Sequence, residues 1–174
     1  MKPVIIFLLL GILFADPTFA ERADRDKPVH LESDRATVEN TGRSGNKNRV
    51  SIFTGNVVLT QGTMIIRSDK MVIEEDSNGF QNFTAYGNLV SYRQKMDNKN
   101  EYVEGWGERM KFDNRAKKVE FFNQARLRRG ADEVHGEYIS YESETEFFKV
   151  NNQGGNNPKK RVHAVIQPKN KNQE

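Results

Sequence analysis

In the stretch S-I-F-T-G-N-V-V-L-T-Q, which begins at Ser51, apolar and polar side chains alternate. Phe53, Val57 and Leu59 fall on one parity, and polar residues such as Thr54 fall on the other. Because successive side chains of a strand point to opposite faces, this stretch would bury one face and leave the other in water. The pattern predicts a half-buried β-strand.

The same stretch continues into a turn and a second strand. Gln61, Gly62 and Thr63 reverse the chain, and Met64 and Ile66 resume the alternation. Two alternating runs joined by a short Gly-containing turn are typical of a β-hairpin.

This hairpin is repeated along the chain in two half-motifs. One aligns on Ser33, Ser68, Gly105 and Gly136, which are spaced by 35, 37 and 31 residues. The other runs F-T-G-N-V-V-L-T-Q, Y-G-N-L-V-S-Y-R-Q and F-N-Q-A-R-L-R-R-G. The windows between turns show period 2 rather than 3.6, and proline is absent between residues 29 and 157. We therefore predict an all-β fold whose repeated hairpins pack apolar face inward, as two facing sheets or one rolled sheet.

The domain boundaries follow from composition. Residues 1–20 combine an early lysine, an apolar run of 11 residues and a T-F-A cleavage site, which predicts a cleaved secretory signal peptide. That run is shorter than the roughly 20 residues that a membrane-spanning helix needs. Residues 21–28 are charged and predicted to be flexible, residues 29–167 form one β domain, and residues 168–174 form a flexible tail.

Composition argues against several functions. The chain carries 27 basic and 24 acidic residues with the signs interleaved, so it lacks the basic stripe of a nucleic-acid-binding protein. It has no cysteine and no G-x-S-x-G motif or phosphate-binding loop, and its three histidines lack metal-ligand spacing. We predict a protein that is not an enzyme and binds no metal.

Five motifs connect the chain to a known family. They are D-K-P-V-H-L-E-S-D at 26–34, F-T-G-N-V-V-L-T-Q-G at 53–62, S-D-K at 68–70, V-E-G at 103–105 and K-R-V at 160–162. In this order, and over nearly the whole chain after the leader, they resemble the OstA-like family of periplasmic lipopolysaccharide transport proteins. The first two motifs are specific, whereas V-E-G and K-R-V alone would be weak.

The resemblance implies an open antiparallel β-jelly roll, V-shaped in section, whose apolar interior receives the acyl chains of lipid A without any cofactor. The alternation places a larger set on the inner face, which includes Leu127, Phe148 and Ile166. The residues that we predict to contact lipid in this groove are Val29, Leu31, Phe53, Val57, Leu59, Ile66, Val90, Tyr92, Met110 and Phe112.

The resemblance also implies partners. Similar proteins stack head to tail through their edge strands and bridge an LptC-like inner-membrane protein and an LptD-like outer-membrane protein.

Arg126, Arg128 and Arg129 are candidates to contact lipid phosphates, and the alternative interpretation is that they form a solvated strand face. Two other functions remain open from sequence: a membrane-anchored relative of the same fold, and a structural or carbohydrate-binding β-repeat protein with a filled core.

Overall fold

The computed structural model describes residues 24, 26–41, 48–76, 81–97, 99–152 and 161–168. This part of the chain is all-β, and its ten strands form one open antiparallel sheet, which confirms the predicted fold class. The strands are β1 (His30–Glu32), β2 (Arg35–Thr41), β3 (Asn48–Gln61), β4 (Met64–Glu75), β5 (Gln81–Lys95), β6 (Tyr102–Asp113), β7 (Lys118–Arg129), β8 (Asp132–Glu142), β9 (Phe147–Asn151) and β10 (His163–Val165). The predicted signal peptide and residues 169–174 lie outside the described residues.

At each edge of the sheet, two short strands pair with the same long strand. From β3 to β8, each strand pairs with the next one in sequence, as expected for consecutive hairpins. At one edge β1 and β2 both pair with β3, side by side along its length. At the other edge β9 and β10 both pair with β8 in the same way. Each edge is therefore made of two short strands.

Each strand from β3 to β7 is interrupted near its middle by a shift of pairing register. These β-bulges lie between Thr54 and Val57, Arg67 and Lys70, Tyr86 and Val90, Trp106 and Arg109, and Phe122 and Ala125. Bulges bend a strand and increase its local twist. Because the bulges of neighbouring strands lie side by side, they form a continuous row, which we call the fold line.

The fold line divides the sheet into two halves that face each other. The β1/β10 half contains β1, β10 and segments 57–61, 64–67, 90–95, 102–106, 125–129 and 132–136. The β2/β9 half contains β2, β9 and segments 48–54, 70–75, 81–86, 109–113, 118–122 and 138–142.

Acidic side chains hold the bulged segments in place. Asp34 accepts a hydrogen bond of 3.0 Å from the side-chain amide of Asn56, and the Asp34 N–H donates to the carbonyl of Gly55. Gly55 has a φ of +80°, and a Cβ atom there would lie 2.8 Å from the Asp34 carboxyl carbon. A glycine is therefore required both by the backbone conformation and by the close approach of the carboxylate.

The same arrangement recurs across the sheet. The carboxylate of Asp69 accepts a bond of 3.2 Å from the backbone N–H of Asn88. Glu108 accepts bonds of 3.1 and 2.7 Å from the side chains of Asn123 and Gln124, both of which have positive φ. One acid on one strand thus stabilises the bulge of the next, which explains why S-D and G-N recur in the sequence repeat.

The core lies between the two halves. The rings of Tyr92, in the β1/β10 half, and Phe121, in the β2/β9 half, are 6.0 Å apart and both are buried. Gly105 makes room for the Phe121 ring, since a Cβ atom at this position would lie 2.5 and 2.7 Å from its two Cε atoms. The glycine of the V-E-G motif is therefore a packing requirement of the core.

Two described residues that precede β1, Asp24 and Lys27, are hydrogen-bonded to the end of β3 and the turn after it. Asp24 is buried, and its carboxylate accepts a hydrogen bond from the hydroxyl of Thr63 in the turn between β3 and β4. The amide side chain of Gln61 donates to the carbonyl of Lys27 at 3.1 Å. Part of the segment predicted to be flexible, residues 21–28, is thus anchored to this turn, because Asp24 and Lys27 find hydrogen-bond partners there.

Candidate functional site

Most of the predicted groove residues lie in the interior between the two halves. Val57, Leu59, Ile66, Val90, Tyr92 and Met110 are buried, with exposures of 0 to 2%. Leu31, Phe53 and Phe112 are half-buried and pack against this cluster. Val29 precedes β1 at the edge of the sheet and is 45% exposed. The structure therefore brings nine of the ten residues together and leaves Val29 at the edge.

The centre of this interior is filled by side chains. Besides the contact between Tyr92 and Phe121, the rings of Phe83 and Phe112 stack at 4.6 Å with an interplanar angle of 10°. The Tyr92 hydroxyl donates to the side-chain oxygen of Gln94 at 2.6 Å, so its polar end is satisfied. In this conformation the middle of the fold is a packed core.

An apolar cavity opens where the two halves meet at the β8 edge. Its volume is about 330 Å³. Its apolar lining consists of Val103, Leu127 and Val134 from the β1/β10 half, Tyr141, Phe148 and Val150 from the β2/β9 half, and Val162, Ala164, Val165 and Ile166 from the C-terminal segment. We call this cavity the C-terminal mouth.

The sequence-based list of ten groove residues omits the residues of the C-terminal mouth. Alternation placed Leu127, Phe148 and Ile166 on the inner face, but it does not distinguish a filled part of the interior from an open part. The distinguishing signal is position, because the mouth lies at the last strands of the sheet, where no further hairpin of the described residues covers the apolar face. Exposed apolar side chains concentrate there: Phe148 is 40% exposed and Ile166 is 77% exposed.

The three candidate arginines lie in two different places. Arg129 is the last residue of β7 and lines the C-terminal mouth, with Nη1 3.7 Å from the carboxylate of Glu146. Arg126 and Arg128 follow the opposite parity to buried Leu127 and project from the outer face. Only Arg129, among these three, is positioned at the opening of the interior.

On the outer face, Arg126 and Arg128 belong to a stacked and ion-paired cluster. Their guanidinium carbons lie 4.5 and 5.6 Å from the ring centre of Trp106. Arg126 pairs with Glu133 at 2.5 Å, and Arg128 pairs with Glu104. The hydrogen bond from Arg126 holds the pKa of the Glu133 carboxyl below its usual range, against the opposing effect of burial.

The described residues contain no group of three or more His, Asp or Glu side chains arranged to hold a metal ion. Two of the histidines, His135 and His163, are paired opposite each other on β8 and β10, on the outer face. Within the same described ranges, no helix has the length and apolar character needed to cross a bilayer.

Comparison with known families assigns the chain to one of them. The model of the LptA/(LptD N-terminal domain) LPS transport proteins matches residues 30–147. The chain belongs to this LptA-like family. The matched segment runs from the first residue of β1 to the first residue of β9 and includes every bulge of the fold line.

Similarity to individual members of the LptA-like family supports this assignment. The lipopolysaccharide export system protein LptA of Haemophilus influenzae is 29% identical over 167 residues, which cover 94% of this chain and 91% of that protein. LptA of Escherichia coli K12 is 30% identical over 154 residues, 87% of this chain and 77% of its own. The crystal structure of LptH from Pseudomonas aeruginosa superposes with a TM-score of 0.71 at 24% identity, over 83% of this chain and 99% of that one, and shows the same jelly-roll-like fold.

Proposed function

We propose that this protein carries lipopolysaccharide across the periplasm by holding its acyl chains between the two halves of the sheet. The observation that supports this proposal best is the C-terminal mouth, an apolar cavity of about 330 Å³. Three of its lining residues, Val103, Leu127 and Tyr141, also belong to the core. Membership of a family of LPS transport proteins supplies the class of cargo.

An acyl chain needs only apolar surface to bind. Transfer of methylene groups out of water is favourable by roughly 0.8 kcal/mol per CH₂. A chain that entered at Phe148 and Leu127 would meet apolar side chains from both halves, while Arg129 at the same opening is suited to the anionic end of the lipid. The proposal therefore requires no catalytic group and no cofactor.

The filled centre sets a condition on this proposal. Tyr92 and Ile66 are buried in the packed interior, so acyl chains reach the centre only if the two halves separate or these side chains repack. A protein whose core stays filled is the alternative, and the packed centre is the observation that favours it. The two functions differ in whether lipid ever contacts Tyr92.

The two divided edges are the sites that we propose for end-to-end association. β1 and β10 have three residues each, and the outer backbone edges that they and their neighbours present are templates for another strand. Val29 and Val165 are exposed at opposite ends of the sheet, at 45% and 53%. We propose that copies of the chain stack through these edges, and that an LptC-like and an LptD-like protein occupy the two terminal positions after export and cleavage of residues 1–20.

Two adjacent phenylalanines allow a matched test of lipid binding. Phe148 pairs with inward Tyr141 and lines the C-terminal mouth, whereas Phe147 pairs with Glu142 on the other face. A photoreactive residue at Phe148 in living cells should yield lipopolysaccharide adducts, and the same residue at Phe147 should yield few. Equal labelling at both positions, or none in a folded, exported protein, would refute the proposal.

A third photoreactive position decides between the carrier and the filled core. Adducts at Tyr92 that disappear when lipopolysaccharide transport is blocked would show that the interior opens to cargo. Adducts at Phe148 alone would confine the lipid to the mouth.

A further inference from the structure

Turns border the side of the fold that lies opposite the fold line. The β5–β6 and β7–β8 turns end the β1/β10 half, and the β6–β7 and β8–β9 turns end the β2/β9 half. We call these two rows of turns the rims. The rims approach each other, because residues of both halves line one small cavity of about 60 Å³, among them Gln61, Met64 and Gln94 from one half and Phe112, Asn114, Lys117 and Ser143 from the other. Separation of the two halves must therefore move the rims apart.

A cluster of three charged side chains joins the rims. Lys99, in the β5–β6 turn, donates from Nζ to both carboxylate oxygens of Glu146, in the β8–β9 turn, at 2.8 Å. Arg129, the last residue of β7, places Nη1 3.7 Å from the same carboxylate. One carboxylate of the β2/β9 half is thus held by two cations of the β1/β10 half. We call these three residues the clasp.

The backbone of the β8–β9 turn does not by itself favour a glutamate at position 146. Glu146 has a φ of +52°, in the left-handed region that glycine and asparagine adopt most readily. The contacts of its side chain with Lys99 and Arg129 offer the reason for a long carboxylate here. This residue therefore serves the contact between the halves better than it serves its own hairpin.

The clasp is partly exposed, which makes it reversible. The side chains of Lys99, Glu146 and Arg129 are 46%, 34% and 38% exposed. Ion pairs of this kind contribute modestly to stability and are weakened by salt. A modest contact between two packed halves shifts an equilibrium between closer and wider arrangements without locking either of them.

We infer that the clasp sets how far the two halves separate beside the C-terminal mouth, which Arg129 also lines. The value of this movement for cargo rests on the proposed function, since acyl chains reach the filled centre only if the interior opens or repacks. The movement itself involves only residues of this chain and is measurable without lipid.

The distance between the rims tests the inference directly. The chain has no cysteine, so Glu101→Cys and Ala116→Cys place one exposed spin label on each rim. Double electron–electron resonance then measures the distance between the labels in purified protein to which no lipid is added. In Glu146→Gln, the population at longer distances should grow by roughly two- to fivefold. Lys99→Gln should have a larger effect than Arg129→Gln, because Lys99 makes the shorter contacts.

Glu75→Gln is the matched control. Glu75 forms an ion pair of 2.6 Å with Arg49, but both residues belong to the β2/β9 half. The same change of charge should therefore leave the distance distribution as in the wild type. An equal shift in Glu75→Gln and Glu146→Gln would overturn the inference, as would an unchanged distribution in Glu146→Gln.

Salt provides a second test that needs no substitution in the clasp. Raising the ionic strength from about 0.01 M to about 1 M shortens the Debye length from about 30 Å to about 3 Å. The wild type should then shift toward longer distances, whereas Glu146→Gln should change little. Equal responses of the two proteins would show that salt acts elsewhere and would overturn the inference.

The clasp and the lipid carrier fail independently. A clasp that responds as expected, in a protein that yields no lipopolysaccharide adducts, would refute the carrier alone. Adducts at Tyr92 together with rim distances that ignore Glu146→Gln would refute the clasp alone.

Discussion

The contact between Gly105 and Phe121 gives the sharpest test of how the two halves fit together. In Gly105→Ala, the new methyl group would lie 2.5 and 2.7 Å from the two Cε atoms of a ring that is completely buried. Real carbon contacts are closer to 3.5–4.0 Å, so the ring must move by about 1 Å or more against Tyr92. Overpacking of this kind costs about 1–3 kcal/mol.

The stability of Gly105→Ala can be measured by urea unfolding, followed by the fluorescence of Trp106 and by circular dichroism. Coincident transitions by the two probes would justify a two-state analysis. A loss of about 1–3 kcal/mol lowers Tm by roughly 2–4 °C per kcal/mol in a domain of this size.

A second substitution separates a steric clash from loss of backbone freedom. Phe121→Leu removes ring atoms and alone costs about 1–3 kcal/mol. In the double variant Gly105→Ala/Phe121→Leu, the methyl group enters the vacated space, so the loss should be smaller than the sum of the two single losses by about 1 kcal/mol or more. Strict additivity would show that the glycine serves the strand backbone rather than the packing between halves.

Two further predictions concern charged groups. Asp69→Ala deprives the bulge of the neighbouring strand of an acceptor and should lower the free energy of unfolding by about 0.5–1.5 kcal/mol. The control Asp76→Ala removes an exposed partner of Arg115 and should change the free energy of unfolding by less than about 0.5 kcal/mol. Equal losses in the two variants would contradict the proposed role of Asp69. The pKa of Glu133 is lowered in the fold, so its contribution to stability is present above the usual glutamate range and is lost as pH falls through the folded-state pKa. The wild type should therefore lose more stability than Glu133→Gln between about pH 6 and pH 3, and superimposable acid unfolding curves would show that the bond to Arg126 contributes nothing.

The inward and outward assignment of most strands could be predicted because burial follows parity. Ile66, Tyr92 and Met110 lie on the face that alternation assigned to them, and all are buried. What alternation could not predict is the change of parity within a strand. In β4 the inward positions are Met64 and Ile66 before the bulge and Met71 after it, because the bulge shifts the count by one.

The polar residues that hold the bulges were visible in the sequence only as a repeat. Asp34 and Asp69 each follow a serine in the recurring S-D pair, and their partners lie in the recurring G-N pair. Without coordinates, an acid and an amide on different strands carry no sign that they meet. The stacking of Trp106 with Arg126 and Arg128 could not be predicted for the same reason, since the two arginines come from the next strand.

The row of acid-supported bulges also bears on how a chain of this kind changes length. Each hairpin brings its own carboxylate and its own bulged segment, so inserting or deleting one hairpin of about 35 residues preserves the bend of every remaining strand. The cross-section of the interior then stays constant while its length changes by one strand pair. Growth by duplication is therefore compatible with an uninterrupted apolar path, and the same unit is able to serve in short and long versions of this architecture.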